Sequence, residues 1–176
     1  MQHSWKRSKQ MATIEPHNAK SMSIIVTKGT LDWAYPPFIL ATTAAAMDVK
    51  VSMFFTFYGL PLLKKKLDLQ ISPLGKPDMA MPMMGMHMKM PNMVAAIPGV
   101  NAAATTMMKN LIKKKGVASI EDLRAAAIEA DVEFIACQMT MDLFEFDRKD
   151  MIDGITLGGA ATYMEKALNS HINLFI

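Results

Sequence analysis

The chain has 176 residues, 51% of them hydrophobic, which suits one domain of ordinary size with a sizeable core. Its single cysteine excludes an intrachain disulfide framework and any site built from several thiolates, and fits a reducing compartment. The formal charge of +3 sits in residues 1–20, where Lys6, Arg7, Lys9 and Lys20 face only Glu15; the rest is neutral and lacks the basic face that nucleic-acid binding requires.

Residues 1–20 are expected to form a disordered basic arm without the apolar core of a secretory signal, and residues 21–176 a single domain. "SIIVTKGT" from Ser23 reads as a buried strand that ends in a turn at Lys28, Gly29 and Thr30. Leu31 to Met47 is alanine-rich and helix-prone, with Pro36 and Pro37 expected to kink it or mark its true start. "KVSMFFTF" from Lys50 is a second strand with almost no polar alternation, the mark of burial on both faces, and Tyr58-Gly59 ends it. The window from Pro36 to Leu63 is apolar, but Asp48 and Lys50 interrupt it, so a buried helix and strand are expected there rather than a membrane span. "LPLLKKK" reads as a short helix with lysines at its C-terminal end.

Residues 67–97 carry four prolines, and eight methionines fall between Met79 and Met93. No clean helical or strand period survives, so a long crossover loop or lid is expected. Order returns with a helix that has Asn101 near its start and Gly116 as its stop, then a second helix with Ser119 and Asp122 as a capping box. "VEFIAC" is the third strand, "QMTMDLFEF" a short helix, "GITLGGA" from Gly154 a fourth strand, "AATYMEKALNS" a helix, and "INLFI" a fifth strand.

Strand and helix in alternation imply an α/β fold, a three-layer α/β/α arrangement with a mostly parallel sheet of about five strands. Ligands of such sheets bind at the carboxyl ends of the strands. The loops after Lys28, Phe57, Ala136 and Leu157 are therefore the places for chemistry.

Cys137 falls at one of these ends, where the third strand meets a helix. Two readings stand. A lone cysteine in apolar company is commonly a small buried hydrophobe. At a helix N-terminus, though, unpaired N–H groups stabilise a thiolate, which is the nucleophile of sulfur chemistry. With no second cysteine, a dithiol cycle within the chain is excluded. A workable role is to carry one sulfur atom as a persulfide, since each half-step is an exchange that needs one thiol here.

The stretches "TKGTLDWAYPPFILATTAAAMDVKVSMFFTFYGL", "MPMMGMHMKMPNM" and "IEADVEFIACQMTMDLFEF" resemble the DsrE/DsrF-like proteins of sulfur relay, over roughly Met22 to the C-terminus. The branch that the chain is most similar to is the larger, methionine-rich one sometimes labelled peroxiredoxin-like. The cysteine of "ACQMTMD" falls where that branch carries its persulfide cysteine. The resemblance implies a homo-oligomer in the cytoplasm of a sulfur-metabolising microbe. Its implied role is a sulfur carrier or sulfurtransferase that passes sulfane sulfur through Cys137. A sulfur-carrier protein or rhodanese-type sulfurtransferase is the implied partner, and no cofactor enters the scheme. The residues expected around the sulfur are Lys28, Gly29, Thr30, Tyr58, Gly59, Gln138 and Met139. The peroxiredoxin label finds no support, because Phe134, Ile135 and Ala136 stand where a peroxidatic cysteine has its threonine.

The rival reading is a non-catalytic oligomeric or soft-metal protein. Thioether sulfur suits Cu(I), and the methionine-rich segment with His87 supplies it, though not on one face of a regular element. "KGT" and "TLGGA" offer turns to an anion, but no GxGxxG or phosphate-loop lysine accompanies them. His171 and the pair Asp142 and Glu145 read as structural or solvated rather than catalytic.

Overall fold

The structure, a computed structural model, describes residues 20–72, 81–83, 86–88 and 99–176. In chain order its strands are β1 (Ser21–Val26), β2 (Lys50–Phe55), β3 (Met81–Met83), β4 (Met86–Met88), β5 (Glu133–Cys137), β6 (Thr156–Gly158) and β7 (Ile172–Phe175). Its helices are α1 (Leu31–Ala45), α2 (Val100–Lys114), α3 (Ile120–Glu129), α4 (Gln138–Leu143) and α5 (Ala160–Leu168). Five strands form one sheet in the order β6-β5-β2-β1-β7, with every pairing parallel. All five carboxyl ends therefore lie along one edge.

The two-residue period of a strand sorts its side chains into layers. Ile24, Val26, Met53, Phe55, Phe134 and Ala136 face α1 and α3 and form the main core. There the Phe38 ring of α1 packs on Phe55 and Phe134, with centroids 6.0 and 6.1 Å away. The residues between them, Ile25, Phe54, Ile135 and Cys137, gather on the opposite face with Tyr163 of α5. This is the three-layer α/β/α arrangement, with a sheet that is parallel throughout.

Several local expectations change. Helix α1 begins at Leu31 and holds Pro36 and Pro37 in its interior. Burial of Ala34, Pro37, Phe38 and Ala41 against the sheet outweighs the two missing amide bonds. The segment after β2 is a 3-10 turn over Phe57–Leu63, and its lysines lie beyond it. The cation that meets its carboxyl end comes from α3: Arg124 Nη1 donates to the carbonyls of Leu62 and Lys64 at 2.8 and 2.6 Å.

Helix α4 stops at Leu143, short of Phe146, because Glu145 turns into the left-handed region (φ 54°). The Phe146 and Glu145 amides then close back on the Met141 and Asp142 carbonyls. The fourth strand is confined to Thr156–Gly158, with Gly154 in the preceding turn at φ 76°.

The expected lid begins with an anchored stretch. The Gln70 carbonyl accepts the Leu31 amide at 2.8 Å, and the Ser72 amide donates to Asp32 Oδ1 at 2.9 Å. Within the methionine-rich segment, β3 and β4 pair antiparallel, with Met81 opposite Met88, so it carries a strand period where none was expected. The rest of that segment, the methionine side chains and the basic arm through residue 19 lie outside the described residues. No helix among the described residues is long and apolar enough to cross a membrane.

Candidate functional site

Cys137 is the last residue of β5 and the N-cap of α4, with extended backbone (φ −68°, ψ 110°). A strand that is apolar and buried from Phe134 onward places it in the sheet, and the turn into α4 sets the amides of Met139 and Thr140 beside it. The register sets its neighbours: Gly158 of β6 on one side, and on the other Thr56, which directly follows the pairing of Phe55 with Ala136. Cys137 is only 4% exposed, packed with Phe54, Ile135 and Tyr163, so it lies beneath the rim rather than open at it.

Two threonines complete the surroundings. Thr140, fully buried, has its Oγ1 3.1 Å from Thr56 Oγ1 and accepts the Phe57 amide at 3.3 Å. Phe57 adopts a left-handed conformation (φ 46°), which for a bulky residue costs about 1–3 kcal/mol. Burial pushes the Cys137 thiol up. Hydrogen bonds from the Thr140 hydroxyl and amide, the Thr56 hydroxyl and the Met139 amide outweigh burial, and the net direction is below the ordinary thiol value. The neutral thiol, a weak acceptor, makes no side-chain cap bond to the helix; the donors act on the anion.

The residues expected around the sulfur divide into groups. Gln138 and Met139 adjoin it and are exposed, Gln138 donating to Asp142 Oδ1 at 2.8 Å. The turns after β1 and β2 meet closely: a Cβ on Gly29 would lie 2.2 Å from the Tyr58 carbonyl oxygen, and one on Gly59 2.2 Å from that of Val26. Tyr58, 71% exposed, stacks on Phe144, which also meets Phe57 and Phe146 edge-on. Lys28 instead places Nζ 3.3 Å from the centre of the Trp33 ring, and Thr30 shares a hydrogen bond with Ser72 Oγ at 3.1 Å. His171 takes a structural place, its Nδ1 accepting the Ser21 amide at 3.2 Å.

Thr56, Thr140 and Phe144 were not among the expected residues. A signal existed for Thr140, since a polar residue three positions after an N-cap repeats the spacing of a capping box. Thr56 emerges only from strand register.

Two cavities lie elsewhere. One of about 410 Å³ opens between α1, α2 and the start of α3, lined by Tyr35, Ile112 and Ile120 among others. One of about 800 Å³ lies at the amino-terminal edge of the sheet, around Lys50, Glu133 and Lys166. Neither adjoins Cys137.

Comparison with known proteins matches this architecture to a sulfur-related group. The family model described as the DsrE/DsrF/DrsH-like family matches residues 18–175. The chain is 55% identical over 157 residues to the sulfur carrier protein DsrE2 of Allochromatium vinosum, across 89% of this chain and 98% of that protein. It is 33% identical over 159 residues to the uncharacterized protein YrkE of Bacillus subtilis, across 89% and 97% of the two. Among solved structures, the ychN protein from E. coli superposes with a TM-score of 0.51 at 10% identity, over 89% of this chain and 99% of that one. At that identity the likeness concerns the fold alone.

Proposed function

The chain belongs to the DsrE/DsrF/DrsH-like family, and from that premise we propose that it is a sulfur carrier whose Cys137 holds sulfane sulfur as a persulfide. The observation that carries this reading is the place of the sole cysteine, at a strand end and helix start, among four donors that favour its thiolate.

In the uptake step, the Cys137 thiolate attacks the outer sulfur of a donor's persulfide. A sulfur–sulfur bond forms here as the donor's breaks, and the donor thiolate leaves. In the delivery step, an acceptor thiolate attacks that same outer sulfur and Cys137 leaves as a thiolate. Neither step needs a second cysteine in this chain or a net oxidant.

The partner in this reading is a sulfur-carrier protein or a rhodanese-type sulfurtransferase. The exposed apolar side chains of Phe57, Tyr58, Met139, Leu143 and Phe144 give it a surface to meet beside the site. Residues 21–176 act as one domain, assembled as a homo-oligomer in the cytoplasm. Because Cys137 is nearly covered, docking includes a small displacement that uncovers the sulfur.

The test is intact-mass analysis after incubation with a persulfide donor. Wild type should become heavier by one sulfur atom, lost on reduction, and Cys137→Ser should not change. Equal behaviour of the two proteins refutes the reading.

A further inference from the structure

We infer that Thr140 and Thr56 are positioning residues for Cys137. Their paired hydroxyls supply a spare proton that holds its sulfur as an anion and sets the carrier to give sulfur to thiols more basic than its own. The inference rests on the sulfur-carrier reading above and adds the direction of transfer and the residues that impose it.

The first support is an accounting of protons. Two hydroxyls 3.1 Å apart own two protons, and their mutual bond uses one. Thr140 Oγ1 already accepts the Phe57 amide at 3.3 Å, so that neighbour takes no proton. Thr56 is half-buried and can reach water, so the decisive arrangement is the one in which Thr56 donates to Thr140. Thr140, fully buried and accepting from both Thr56 and Phe57, then keeps its own proton.

Three other helical threonines show the usual outlet. Thr42, Thr105 and Thr106 each donate to the carbonyl four residues earlier, at 2.9, 2.8 and 2.9 Å. Thr140 makes no such bond, because it lies in the first turn of α4, where the residue four positions back, Ala136, is in the sheet. In that arrangement Cys137, the N-cap residue of the same turn, is the acceptor assigned to the Thr140 proton once the sulfur is ionised. Thr140 is one turn beyond the sulfur along α4, and Thr56 directly follows the β2 residue that pairs with Ala136.

Few titratable groups compete around the sulfur. Tyr163 of α5 packs into the same apolar cluster, and Asp142 of α4 is engaged by the Gln138 amide. Tyr58 in the turn after β2 stacks on Phe144, and β6 offers no ionisable side chain. The hydroxyl pair thus joins the helix amides in opposing burial and favouring the anion.

A hydrogen-bonded, stabilised thiolate is a good leaving group and a weaker final holder of sulfur. During delivery the bond between Cys137 Sγ and the outer sulfur breaks, and Sγ takes the electron pair while the two threonines stand ready to receive the charge. The outer sulfur ends on the more basic thiolate.

The experiment measures the rate of Cys137 alkylation by iodoacetamide against pH in wild type, Thr140→Val, Thr140→Ser and Thr56→Val, each checked for folding by circular dichroism. The midpoint should rise by about one pH unit in Thr140→Val, the loss expected of a charge-assisted hydrogen bond, with a smaller rise in Thr56→Val. Thr140→Ser should restore the wild-type midpoint. If Thr140→Val does not fold, Thr56→Val, which keeps the bond to Phe57, carries the test. A wild-type midpoint in the folded valine variants overturns the inference. Failure of wild type to take up sulfur at all overturns the carrier reading instead, so the two failures are told apart.

Discussion

Thr140 Oγ1 accepts the Phe57 amide at 3.3 Å, and that bond ties the turn leaving β2 to the first turn of α4. It holds a left-handed phenylalanine in place beside the candidate site. Replacing Thr140 by valine keeps the shape and orphans the amide, which should cost about 1–3 kcal/mol. The denaturation midpoint in urea measures this. Thr140→Ser should recover most of the loss, and a valine variant as stable as wild type would contradict the assignment.

Gly59→Ala should be more damaging than its single methyl group suggests. The new Cβ would sit 2.2 Å from the Val26 carbonyl oxygen, so the turns after β1 and β2 would have to part. Overpacking of this kind costs about 1–3 kcal/mol or more. Because the neighbour is backbone, no rotamer change relieves it. Thermal unfolding gives the loss, and the Cys137 alkylation rate should change with it, since the Phe57–Thr140 bond belongs to the same turn.

Arg124 is nearly buried, and its guanidinium closes the end of the 3-10 turn through two carbonyls. Desolvation lowers its pKa, with Glu121 opposing. Arg124→Ala should cost about 2–4 kcal/mol by leaving both carbonyls without a donor. Lysine should recover only part, having lost the fork geometry. Chemical denaturation of the two variants decides, and an alanine variant near wild-type stability would refute the role.

The depressed Cys137 pKa has a sign that can be checked. The folded state releases this proton at lower pH than the unfolded state, which then binds more protons in the window between the two values. Stability from this group is therefore fully present above the unfolded thiol value and is lost as pH falls through the folded one. Relative to Cys137→Ala, wild type should gain stability as pH rises through that window. A difference that stays flat, or shrinks as pH rises, would show that burial outweighs the hydrogen bonds.

The five strands of the sheet were legible because each is a short apolar or β-branched run bounded by a turn, and the capping box at Ser119 and Asp122 stood in plain spacing. Cys137 was legible as a strand-end residue for the same reason. What the residues did not reveal was tertiary. Strand register alone puts Thr56 beside Cys137, and the helix break at Glu145 frees Phe144 to meet Tyr58. The two prolines hid the start of α1 because burial overrode local propensity. The degree to which Cys137 is covered depends on Phe54 and Tyr163, more than twenty residues away in either direction along the chain.

The most direct measurement is a two-step transfer on one sample. Protein loaded by a persulfide donor is freed of the donor and then mixed with a thiol protein, and both are weighed intact over time. The extra sulfur should leave Cys137 and appear on the acceptor one for one, with Cys137→Ser inert in both steps. Wild type that never gains the sulfur, or gains it at a residue other than Cys137, would contradict the account.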